Sequence, residues 1–187
     1  MPIFSGANVC YNAGHARCAV MQYLWSPWRM AYLRSESSSG VSTGCIFCDK
    51  PAEQHDAENL IVHRGQLAYV ILNRYPYNNG HMMVVPYQHV ATLEALEAPA
   101  LSEIMLLAKR ALAALRAMYH PQAFNLGVNI GAAAGAGIAD HVHMHVVPRW
   151  SGDSNFMTTV ASTRVIPEDL NDTYQLAVAN WPATESA

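Results

Sequence analysis

The chain has 187 residues, 51% of them hydrophobic and 13% charged, with a net charge of −3 and a pI near 6.3. This composition fits one compact domain and excludes the basic footprint of a nucleic-acid binder. No run reaches the 18 or more apolar residues of a membrane span, and the most apolar stretch, 104–118, is broken by Lys109, Arg110 and Arg116.

Residues 1–20 carry no pattern and read as a poorly ordered extension ahead of a domain running from Met21 to Ala187. Their first positive charge is Arg17, and polar residues interrupt any apolar core, so no signal peptide is read and a cytoplasmic protein is expected. Residues 22–33 hold Tyr23, Trp25, Trp28 and Tyr32, an aromatic arm suited to packing on the domain or on a partner chain. A Ser/Gly-rich linker follows from Ser35 to Gly44. Cys45-Ile46-Phe47-Cys48 comes next, and in a reducing compartment these cysteines, like Cys10 and Cys18, are not expected to form structural disulfides.

Strands are predicted over 60–63 and 68–72. Pro76 and Asn79-Gly80 then signal a tight hairpin into a returning strand over 82–86. The spacing of Leu101, Met105, Ala108, Leu112, Leu115 and Tyr119 predicts a helix over 99–119, opened by Pro99 and ended before Pro121. Ile104, Leu107 and Ala111 fall outside that stripe, and such a leftover apolar patch is expected to pair two copies as a homodimer. Further strands are predicted over 124–130 and 141–147, with a C-terminal helix within 167–181. The order implies an α+β fold with a largely antiparallel sheet, one long helix and a C-terminal helix.

The loudest feature is His141-Val142-His143-Met144-His145-Val146-Val147. On a strand, the three histidines share one face and the apolar residues the other. Three readings stand: unrelated strand histidines, a catalytic metal site, or a nucleophilic histidine flanked by two supporting ones. A neutral imidazole nitrogen can attack phosphorus without prior deprotonation, and its neighbours can hold phosphate oxygens and protonate a leaving group. Cys45-x-x-Cys48 is by itself open between redox and metal use. The loop Gly131-Ala132-Ala133-Ala134-Gly135-Ala136-Gly137-Ile138 lacks the Lys-Ser/Thr ending of a P-loop, and its small residues would let backbone amides approach a polyphosphate.

The histidine stretch resembles the signature of the histidine-triad superfamily, His-φ-His-φ-His-φ-φ with φ apolar. The stretch Leu72-Asn73-Arg74-Tyr75-Pro76-Tyr77-Asn78-Asn79-Gly80-His81 into Val84-Val85-Pro86 is similar to the family's hairpin, and Phe124 to Asn129 also matches. The resemblance covers roughly residues 21–165. It implies that His143 is the nucleophile, that His145 contacts the reacting phosphate and that His141 is the supporting first histidine. It places Asn73 at the ribose hydroxyls, His81 beside the site, and Asn129, with one loop residue inserted, at the family's upstream Asn or Gln. Gly135, Gly137, Ile138 and Trp150 complete the expected nucleotide contacts. Many triad hydrolases carry Gly-Gln-Ser or Gly-Gln-Thr before the first histidine, where this chain has Gly135-Ala136-Gly137-Ile138.

That absence, the arm around Trp25-Ser26-Pro27-Trp28 and the text from Val147 to Phe156 resemble the diadenosine tetraphosphate phosphorylase branch. The resemblance also implies a structural zinc on Cys45, Cys48, His89 and His141, and no organic cofactor. The function read from all this is phosphorolysis of an adenosine polyphosphate, with inorganic phosphate as co-substrate. The competing expectations are a hydrolase of dinucleoside polyphosphates or nucleoside phosphoramidates and, from another class, a non-catalytic nucleotide-binding protein.

Overall fold

The computed structural model describes residues 44–153 and 166–183. The extension 1–20, the aromatic arm, most of the Ser/Gly linker and Ser154 to Phe156 lie outside the described residues.

Two short helices open this part of the chain. Helix α1 (Ile46–Glu53) starts from an extended Cys45 and ends where Gln54 enters the left-handed region; α2 (Asp56–Asn59) ends likewise at Leu60. Strands β1 (Ile61–Arg64), β2 (Ala68–Leu72) and β3 (Met82–Pro86) follow, then helix α3 (Ala98–Tyr119) and strand β4 (Ala123–Val128). Strand β5 (Met144–Arg149) and helix α4 (Leu170–Ala179) complete the described elements. The sheet order is β1-β2-β3-β5-β4 and every pair is antiparallel, which gives the α+β architecture expected.

Strands β2 and β3 read Ala-Tyr-Val-Ile-Leu and Met-Met-Val-Val-Pro and are buried at every position. Continuous apolar text of this kind belongs to a strand covered on both faces. Helix α3 packs along β2, β3 and β5, while Tyr69 of β2 donates its hydroxyl to the Phe47 carbonyl of α1 at 2.8 Å. Helix α3 also ties down the β1–β2 turn, because the Glu103 carboxylate accepts the backbone N–H groups of Gln66 and Leu67, each at 2.6 Å. Helix α4 is capped by Asp169, whose carboxylate accepts from the Asn171 amide at 2.8 Å.

Three expectations are corrected. Ile104, Leu107 and Ala111 form the core face of α3 together with Ala108 and Leu115, whereas Met105 and Leu106 stand outward at 55% and 60% exposure. The stripe was drawn too far round the helix: a flat sheet buries a broad arc of small and large residues rather than a narrow four-three seam. The β2–β3 hairpin is not tight, since residues 73–81 form its loop and Asn79-Gly80 only closes it. Gly80 has φ +75°, and a side chain there would strike Leu115 and Tyr119. The last strand begins at Met144, not His141, because Val142 first pairs with the neighbouring loop through its N–H to the Val90 carbonyl at 2.7 Å.

Candidate active site and metal cluster

Hydrogen bonds assign the tautomers of the histidines, since a carbonyl oxygen can only accept and a backbone N–H can only donate. His141 Nε2 lies 2.9 Å from the Pro86 carbonyl, so it carries the proton and Nδ1 keeps the lone pair. That Nδ1 sits 3.3 Å from Cys45 Sγ and 3.6 Å from Cys48 Sγ. His89 Nδ1 lies 3.4 Å from Cys48 Sγ. The four donor atoms of Cys45, Cys48, His89 and His141 all fall within 4.8 Å of one another. Tetrahedral zinc with bonds of about 2.3 Å to sulfur and 2.0 Å to nitrogen would set such S···N pairs about 3.5 Å apart. The donor set and spacing therefore fit a divalent metal, and the histidine tautomer presents the correct atom. Burial, followed by the neighbouring Cys45, pushes the Cys48 thiol up, a tension that a bound cation would relieve.

His143 Nδ1 lies 2.9 Å from the His141 carbonyl, so Nδ1 donates and Nε2 holds the lone pair of a neutral ring. Burial lowers the His143 pKa, which keeps that lone pair available. Phe47, between the two cysteines, packs its ring 4.9 Å from His143 and 5.5 Å from His141, centroid to centroid. The metal cluster and the nucleophile candidate thus share His141 and Phe47.

His145 is governed from behind. The Tyr77 backbone N–H donates to His81 Nδ1 at 3.1 Å, and the Asn73 carboxamide approaches the same atom at 3.3 Å. His81 Nε2 must then carry the proton, and it donates to His145 Nδ1 at 3.0 Å. The proton of a neutral His145 consequently sits on Nε2. The rings of His143 and His145 meet edge to face, with centroids 4.9 Å apart. One ring thus presents a lone pair and the other an N–H, the pair needed to attack phosphorus and to hold or protonate an oxygen.

The expected nucleotide residues fall into three groups. His81 is 1% exposed and stands behind His145, and Asn73 touches it while accepting the Tyr75 amide at 2.9 Å. Asn129 lines one cavity with His145, and its wall also includes Tyr77, Asn125 and Arg149. Gly135 and Trp150 are placed differently. The amides of Ala134, Gly135 and Ala136 bond to carbonyls of Gly131 and Ala132, so the loop closes on itself. Gly135, at φ +87°, supplies a turn rather than a free amide, and Gly137 and Ile138 follow it on the way to His141, Ile138 packing on the core. Trp150 meets Tyr119 edge to face at 6.4 Å.

Sequence reasoning passed over Phe47, Tyr77 and Asn125. Phe47 was legible in principle, because a large apolar residue inside a Cys-x-x-Cys turn has to pack against something the turn faces. Arg149, beside Asn125, is already engaged. It donates to both carboxylate oxygens of Asp153 and reaches the Asn125 carboxamide oxygen at 2.7 Å. The guanidinium holds the Asp153 carboxyl well below the usual carboxylate range.

Residues 54–152 match the model of the HIT domain. The chain is 42% identical over 179 residues to a Mycobacterium tuberculosis (strain H37Rv) protein named AP-4-A phosphorylase, covering 93% of this chain and 91% of that one. It is similar in structure to a Zn-bound histidine triad family protein from Mycobacterium smegmatis, with a TM-score of 0.61 and 27% identity, over 75% of this chain and 95% of the other. A HIT family protein from Bacillus anthracis aligns with a TM-score of 0.55 and 26% identity, over 71% and 87% of the two chains. With its histidine pair, its Cys/His cluster and this match over more than half its length, the chain belongs to the histidine-triad (HIT) domain family.

Proposed function

We propose that this chain is a nucleotidyl transferase that phosphorolyses diadenosine polyphosphates, converting diadenosine tetraphosphate and phosphate to ADP and ATP. The observation that carries this reading is the tautomer pair: an Nε2 lone pair on His143 beside an Nε2–H on His145. In the first step His143 Nε2 attacks the α-phosphorus. A P–N bond forms, the P–O bond to the β-phosphate breaks, and ATP leaves. His145 Nε2–H holds the phosphoryl oxygens or meets the leaving oxygen. In the second step an oxygen of inorganic phosphate attacks the same phosphorus, the P–N bond breaks, and ADP departs. Asn73 would bind the ribose, and Asn129 with the amides of Gly137 and Ile138 would hold phosphate.

The choice of phosphate over water rests on the relative named AP-4-A phosphorylase, which aligns over nearly its whole length. The test is incubation with diadenosine tetraphosphate at several phosphate concentrations and separation of the nucleotides. ADP rising with phosphate is the expected result; AMP and ATP indifferent to phosphate would make the chain a hydrolase.

Zinc is the metal proposed for Cys45, Cys48, His89 and His141. Four protein ligands close its coordination, so its part is to fix α1 against the histidine segment. Residues 21–187 are proposed as one cytoplasmic domain; among the described residues no helix is long and apolar enough to cross a membrane. A homodimer is proposed through the outward Met105 and Leu106 of α3 and the edge strand β4, whose exposed backbone row invites pairing.

A further inference from the structure

Strands β4 and β5 share an open face beyond His145. The register pairs Gly127 with His145, Asn125 with Val147 and Ala123 with Arg149, so Gly127 and Asn125 point to the same side as their partners. Together with Tyr77, Asn78 and Asn129 they line a broadly open cavity of about 300 Å³, the lower end of what a small-molecule site holds. Gly127 forms part of its floor, and a Cβ built there meets nothing within 4 Å.

Its position relative to the chemistry is set by the sheet. Asn73 and His81 approach His145 from the β3 side, whereas β4 flanks β5 on the other. His145 and Tyr77 therefore form the wall of the cavity nearest the proposed ribose contact, and β4 forms its far side. From His145 to Arg149 the strand runs four residues, about 13 Å. A ligand lying along it reaches well beyond the phosphorus that His143 attacks.

The lining chooses the ligand. Among the described residues that line it, Arg149 is the one Lys or Arg, and Asp153 already neutralises that charge through two hydrogen bonds. A run of phosphates would find little to hold it. Asn78 donates its amide nitrogen to the Pro148 carbonyl and to Asp153, which leaves Asn125, Asn129 and the Tyr77 ring, beside apolar Leu126 and Val147, to meet a ligand. Arg149 takes the Asn125 oxygen, so the amide nitrogen is what Asn125 can offer a ligand. Carboxamides pair well with the nitrogen edge of a purine, and the Tyr77 ring, centroid 5.8 Å from that of His145, gives the wall near the histidine an aromatic surface.

We propose that this cavity seats the second nucleoside of a dinucleoside polyphosphate, the half that departs with the leaving phosphates. The proposal rests on the phosphorolysis reading above and adds the source of its preference for substrates with two nucleosides. The polyphosphate then crosses over His145 and the distal adenosine lies against Asn125, Tyr77 and the bare backbone of Gly127.

The test compares two substrates, diadenosine tetraphosphate and adenosine tetraphosphate, which differ only in the second adenosine. Gly127→Val fills the floor with a residue that strands accept, and Asn125→Ala removes one amide without adding bulk. Each variant is expected to raise KM for diadenosine tetraphosphate about tenfold with kcat little changed, the mark of lost uniform binding. Turnover of adenosine tetraphosphate should stay within about twofold, and circular dichroism should show an unchanged fold. If both substrates suffer equally, or neither does, the cavity is not the second nucleoside's seat. Should Gly127→Val fail to fold, the Asn125→Ala pair of measurements decides alone. A wild-type enzyme that turns diadenosine tetraphosphate into AMP and ATP whatever the phosphate concentration, or does not turn it over at all, would overturn the reading of the proposed function itself, a result distinct from the other two.

Discussion

His143 and His145 stand two residues apart, yet they face regions of opposite character. On the His143 side, Cys45, Phe47, Cys48 and His141, with His89 exposed at the rim, form a flank closed around buried Phe47 and His141, in which both ring nitrogens of His141 and Nδ1 of His143 have assigned partners. On the far side of His145, β4 is an edge strand mostly open to solvent, with Asn125, Gly127 and Asn129 around a cavity. The closed flank fixes where a lone pair points; in the proposed reaction the open one leaves room for whatever is attached to the reacting phosphate. A preorganised nucleophile and an adaptable leaving-group side are distinct requirements of that reaction, and the two flanks offer distinct materials for them.

The sharpest way to break the closed flank is to remove its product, the His143 lone pair. His143→Ala is expected to lower turnover at least ~10⁴-fold, as loss of a covalent nucleophile does, in a phosphorolysis assay with chromatographic detection. Near-normal turnover would refute the nucleophile assignment. Next in size is the metal cluster. Cys48→Ser should abolish stoichiometric zinc by elemental analysis and lower the thermal midpoint by on the order of 10 °C, several kcal/mol at roughly 2–4 °C each for this chain length. A Cys48→Ser protein that kept both its metal and its melting point would remove Cys48 from the ligand set.

A smaller effect is expected where the two flanks meet. His81→Phe keeps a ring behind His145 but cannot donate to its Nδ1, so the Nε2 proton is no longer assured. A drop in kcat of ~10²-fold, the low end for a positioned proton donor, should appear with little change in KM. A larger change in KM than in kcat would mean that His81 serves binding instead.

The smallest prediction lies outside both flanks and acts as their control. His63 is held by Arg110 at 2.9 Å and stacks on Trp181 at 5.1 Å. Burial first, then Arg110, lowers its pKa below the ordinary 6.5. The fold favours the neutral ring, so this contribution is complete above about pH 6.5 and is lost as pH falls through that value towards the lower folded pKa. The melting midpoint should therefore fall between pH 7 and pH 5 by more in the wild type than in His63→Gln, while the zinc content stays equal. Parallel pH profiles would show that His63 is not coupled to folding.

How far the sequence was readable divides along the same line. Residues 68–72 and 82–86 were found to the residue because buried central strands are unbroken apolar runs. The four metal-cluster residues were readable through the family resemblance, and the fold brings all of them together. The histidine stretch was over-read as a strand from its first residue, since alternation continues through an extended segment that has no ladder partner yet. Helices α1 and α2 left no signal: they are short, α1 contains Pro51, and neither has a side-chain cap. The face of α3 was misjudged because alanines count weakly in a periodicity but pack tightly on a sheet. Least legible was the open flank, whose Asn125 and Gly127 acquire meaning only when β4 is laid beside β5.

The central claim, that His143 takes the nucleotide from its substrate, is tested most directly by catching the intermediate. Enzyme mixed with adenosine-labelled diadenosine tetraphosphate in phosphate-free buffer is quenched in alkali within milliseconds, digested and mapped by mass spectrometry. The adenylyl group is predicted on the peptide carrying His143, released as ADP when phosphate is added before the quench, and missing from His143→Ala. Label on His145 or His81 instead, or turnover of the same substrate with no protein-bound nucleotide at any time, would contradict the account.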